Sequence, residues 1–68
     1  MLHRKLLSVI VKHDERESKK PGYNPYGLAH MIRALHNAEE EVTNGVTIQE
    51  ALNNNFCGRL LDKLLKVV

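Results

Sequence analysis

Apolar residues recur at helical spacing along most of this chain, and the breaks between runs fall at turn-forming residues. The longest run occupies residues 24–45, NPYGLAHMIRALHNAEEEVTNG. Leu28, Met31, Ile32, Leu35, Ala38 and Val42 form one stripe with a period of about 3.6 residues, which predicts a central amphipathic helix over residues 25–43. Asn24 suits the N-cap, and Pro25 suits the first helical position, where its missing donor costs nothing. Asn44 and Gly45 tolerate left-handed backbone and so let the chain turn away.

The flanking segments carry weaker versions of the same pattern. Leu2, Leu6, Val9 and Ile10 share a helical face, whereas the adjacent β-branched Val9, Ile10 and Val11 suit a strand. No second strand candidate is present to pair with it, so residues 1–17 read better as a helix, with an intermolecular two-stranded ribbon as the alternative. Residues 18–23, SKKPGY, form a loop around the Pro21-Gly22 turn dipeptide. Thr47 with Glu50 three residues later is a capping box, which starts a third helix at Ile48 with Ile48, Ala51 and Leu52 inward. Asn53, Asn54 and Asn55 are weak helix formers and should end or interrupt it. The final segment resumes the repeat with Phe56, Leu60, Leu61, Leu64, Leu65 and Val68, leaving Arg59, Asp62, Lys63 and Lys66 on a polar face. The expected fold is all-α: a single domain over residues 1–68, a small bundle of three to four short helices around the central one.

Size and composition narrow this further. A chain of 68 residues buries roughly 60% of its unfolded surface, and at that size disulfides, metal or oligomerisation commonly add stability. Cys57 is the single cysteine, so no intrachain disulfide forms, and an unpaired thiol fits a reducing cytoplasm. Oligomerisation is the remaining aid. The net charge of +2 is too small to argue for nucleic acid by itself. No apolar run approaches the roughly 20 residues that span a bilayer. The basic and apolar start has too short an apolar core for a signal peptide, and charged residues follow it.

Candidate chemistry is sparse. His3, His13, His30, His36 and Cys57 lack the close spacing of zinc ligands, and His30 and His36 point to different sides of a helix. Cys57 beside Phe56 reads as a packing residue rather than a nucleophile. No catalytic set, metal or cofactor is therefore expected, and the protein reads as a non-enzymatic one. Glu39, Glu40 and Glu41 stand at the C-terminal end of the central helix, where the macrodipole disfavours negative charge. They are either a solvated face or a face turned to a partner. Arg16, Lys19, Lys20, Tyr23 and Tyr26 cluster around the loop into that helix, where cations beside aromatic rings could contact an anion or nucleic acid. Glu15 and Glu17 dilute that cluster, and Tyr23 could instead staple onto Leu28. A helix-turn-helix over residues 47–66 is disfavoured by the asparagines, by Gly58 in the opening turn and by the leucine content of the last helix.

The leading expectation is thus an interaction module acting through self-association and protein binding. Its candidate homodimer interface is Leu60, Leu61, Leu64, Leu65 and Val68. A small nucleic-acid-binding accessory protein using the basic-aromatic loop is the alternative, and nucleic acid is not the favoured partner.

Overall fold

The computed structural model describes residues 2–24 and 26–68. Met1, Pro25 and the side chain of Leu2 lie outside the described residues, and with them the expected placement of Pro25 and the Leu2 position of the first stripe. Four helices form among the described residues: α1 Leu2–Glu17, α2 Gly27–Thr43, α3 Ile48–Asn55 and α4 Gly58–Leu65. The all-α fold expected from the periodicity is the one observed. Residues 2–17 are helical, so helical spacing wins over β-branched composition in this segment. Leu6 and Ile10, one helical turn apart, are buried on the same face, while Val11 stays 37% exposed.

α2 starts later than its signals suggest. Asn24 Oδ1 accepts a hydrogen bond from the Tyr26 N–H at 2.9 Å, and the Gly27 N–H reaches the Asn24 carbonyl at 3.0 Å. Asparagine readily bonds backbone two residues ahead, and here that closes a turn before the helix instead of capping it. Tyr26 holds the cap position with no side-chain bond. At the far end, Val46 N–H bonds Glu41 C=O at 2.9 Å and Gly45 N–H bonds Val42 C=O at 3.0 Å. This is a Schellman motif, with Gly45 at φ +100°. Asn44 remains at φ −86°, so Gly45 alone of the expected pair is left-handed.

The buried face of α2 is also rotated from the expected stripe. Ala34, Leu35 and Ala38 are buried, with Leu28 and Met31 partly covered, whereas Ile32 and Val42 remain 40% and 39% exposed. Two helices flank α2, and small Ala34 and Ala38 let a neighbouring backbone come close. Ile32 lies on the flank away from these alanines, and Val42 sits in the last turn.

α3 begins as the capping box predicts: Thr47 Oγ1 accepts from Glu50 N–H at 3.2 Å, with Thr47 in extended backbone. The three asparagines do not interrupt it. They form its last turn, and Phe56 in extended backbone ends it. Ala51 and Leu52 are fully buried and Ile48 partly so. Gly58, at φ +66°, turns the chain into α4.

α2 packs on α1 and α3, and α4 packs on the same two helices, so the four close a cycle measuring 39 × 20 × 20 Å. Its core is Leu6, Ile10, Ala34, Leu35, Ala38, Ala51, Leu52, Phe56, Leu60 and Leu64. Each fully buried leucine contributes about 1.5–3 kcal/mol of transfer free energy. Among the described residues no buried side chain is polar, so the side chains that could do chemistry all lie at the surface.

Candidate functional site

The arrangement of charge follows from which helices meet. Arg33 is the one lysine or arginine of α2 and α3, set against Glu39, Glu40, Glu41 and Glu50. Most of the basic residues instead lie on α1, the loop after it and α4. Because α1 and α4 pack together, their cations combine. Val9, Lys12, His13 and Arg16 of α1 line an open groove with Lys63 of α4. Lys63 Nζ lies 3.4 Å from His13 Nδ1. Arg59 and Lys66 stand four residues before and three after Lys63 and therefore share its flank of α4.

Glu17 is the carboxylate at the end of this seam. It pairs with Lys20 Nζ at 3.1 Å and faces His13 Nε2 at 3.8 Å. The Lys20 hydrogen bond, helped by the charges of Lys20, His13 and Arg59, holds its pKa below the ordinary value, against a smaller opposing effect of burial. The contact between Lys63 and His13 sets α4 against the second half of α1, and Arg59 lies close enough to act on Glu17 there.

The basic-aromatic loop is distributed over different faces. The Tyr23 hydroxyl donates to Asp14 on α1, which raises the phenol pKa above its usual value. Its ring edge lies over Gly27, where an added Cβ would sit 3.9 Å from it. Tyr23 is therefore a strut between α1 and the start of α2. Tyr26 is 77% exposed, and Lys19 and Lys20 are exposed. Arg16 lies in the α1–α4 groove, away from the tyrosines. The spacing of Lys12 with Arg16, and of Arg59, Lys63 and Lys66, is readable in the sequence. That the two rows meet depends on the pairing of α1 with α4, which no local signal announces.

The acidic end of α2 has internal partners. Glu41 accepts from the side-chain amide of Asn54 at 2.8 Å and from that of Asn55, which also bonds the Ala51 carbonyl at 2.8 Å. Donors on both carboxylate oxygens lower the Glu41 pKa. Glu39 meets His3 of α1, and Glu40 is exposed.

Of the leucines considered for a dimer interface, Leu60 and Leu64 are taken into the chain's own core, at 7% and 0% exposure. Their place is fixed by α4 bridging α1 and α3, which covers the side that a lone amphipathic helix would offer to a second copy. Leu61 and Leu65 are half-buried and Val68 is exposed, and Leu65 borders a shallow depression beside Thr47, Gln49, Glu50 and Asn53. Cys57, expected as a packing residue, is exposed at the cap position of α4, because the extended backbone at residues 56 and 57 turns Phe56 inward. Among the described residues no group of three or more His, Cys, Asp or Glu could hold a metal ion, and no helix is long and apolar enough to cross a membrane. No protein-family model matches the chain, and neither a curated protein nor a solved structure matches it significantly.

Proposed function

We propose that this chain is a small non-enzymatic interaction module that works by self-association and protein binding in a reducing compartment. The observation that carries the reading is the flank of α4 turned toward α3. Leu61 and Leu65 stand there one helical turn apart, with Val68 just beyond the end of the helix, and the chain leaves them half-buried to exposed. Pairing that flank with its copy about a twofold axis removes both sets from water at about 25 cal/mol per Å² of apolar surface. The polar rim around it is Gln49, Glu50 and Asn53.

Sedimentation equilibrium tests the reading. The native protein is expected to be dimeric at micromolar concentration, with a melting temperature that rises with concentration. Val68→Lys, at an exposed position, should yield folded monomer, and Leu61→Lys should weaken the dimer further. Native protein that stays monomeric at high concentration would remove the basis of the proposal.

A further inference from the structure

We propose that the α1–α4 seam binds double-stranded nucleic acid through its phosphates, without reading base sequence. Lys63 on α4 lines the groove with Lys12, His13 and Arg16 of α1, and Arg59 on α4 and Lys66 at its C-cap extend the row by helical spacing. At a rise of about 1.5 Å per residue, cations three and four residues apart stand roughly 4.5–6 Å apart along the axis, a ladder that can meet successive phosphates. The carboxylate at the seam, Glu17, is already neutralised by Lys20. Asp62 stands three residues after Arg59 and four before Lys66, so it shares the polar flank of α4 and offsets one charge of that row.

The kind of partner follows from what accompanies the cations. A protein interface wants an apolar centre, and an interfacial membrane helix wants a broad apolar face beside its basic one. Val9 is the apolar side chain lining the groove, and it is partly covered. Single-stranded binding relies on aromatic stacking platforms. Tyr23 is engaged with Asp14, and Tyr26 lies at the start of α2, so neither lines the seam. A regular row of phosphates, needing cations alone, is the ligand that fits.

The test is fluorescence anisotropy of a short random-sequence DNA duplex titrated with the protein over a range of salt. Binding should weaken linearly with the logarithm of salt. Arg16→Gln and Lys12→Gln, both at exposed positions, should each lower affinity about tenfold at low salt and reduce the salt slope by roughly one. Arg33→Gln on α2 makes the same charge change away from the seam and should leave binding unchanged. Absence of binding at low salt would overturn the proposal, as would an equal loss in the Arg33 variant. So would tight binding to phosphatidylserine vesicles without duplex binding. Self-association abolished by Arg16→Gln, again without duplex binding, would overturn it in favour of the acidic α2–α3 face of a second copy. Dimerisation through α4, read by Val68→Lys, is scored separately and can fail without touching this result.

Discussion

The side-chain amide of Asn54 on α3 donates to the Glu41 carboxylate on α2 at 2.8 Å. This bond, with that from Asn55, joins the end of one helix to the end of the next across the Schellman turn. Both hydrogen bonds favour the ionised carboxylate, so its folded pKa lies below the 4.5 of a free glutamate. A depressed folded pKa means that the stabilisation is complete above the unfolded value and is lost as pH falls through the folded one. Asn54→Ala should therefore lower the melting temperature near neutral pH, with the variant and native curves converging well below pH 4.5. Glu41→Gln should flatten the same acid-sensitive part of the curve. A native-minus-variant difference that stays constant down to strongly acidic pH would show that the pair does not act through the ionised form.

Leu35 and Ile32 separate the buried from the open side of α2. Leu35 is 1% exposed and Ile32 is 40% exposed. Leu35→Ala should cost about 2–5 kcal/mol through lost contacts and a residual cavity. That rivals the total stability of a domain this small, so the variant should be largely unfolded at room temperature. Ile32→Ala should cost well under half as much. Thermal denaturation of the two variants, followed by circular dichroism, decides the matter.

Thr47 anchors α3 through its bond from the Glu50 amide. Thr47→Ala leaves that donor without its partner and should cost about 1 kcal/mol, whereas Thr47→Asp should be nearly neutral. Equal melting temperatures for the two variants would mean that the cap contributes little.

Gly58 has open space where a Cβ would go, but its φ of +66° suits glycine. Gly58→Ala should thus destabilise by roughly 1–2 kcal/mol through backbone strain alone. Gly58→Asn should recover part of this, since asparagine visits the left-handed region more readily. Urea unfolding midpoints would show the order Gly, Asn, Ala.

Much of this fold is legible along the chain because helices are specified locally. The 3.6-residue period placed all four, and the Thr47 cap needs just three residues to be recognised. What depends on tertiary packing was harder to read. Ile32 and Ala34 both fit a helical face, and the neighbours flanking α2 bury the smaller one. Asn24 carries a start signal, but its side chain is committed to a turn. The awkward charge of Glu41 at a helix end is answered by asparagines that look, in isolation, like a helix breaker. Leu60 and Leu64 look like surplus until α1 and α3 are seen to cover them. The α1–α4 groove lay beyond local reading for the same reason, since two helices make it, whereas Leu61, Leu65 and Val68 stand out at helical spacing in the sequence itself.

The Lys63–His13 contact joins residues 50 positions apart, whereas the other helix pairings of the cycle link consecutive helices. Consecutive pairings close short loops and form early, while the entropy of closing a long loop falls on the α1–α4 pairing. That pairing is therefore the clasp of the molecule, and it is fastened where cations crowd one another. Mutual repulsion there works against closure and is relieved when an anion spans both rows. A polyanion spanning both rows would then act as a folding partner as well as a ligand, holding that long-range joint closed.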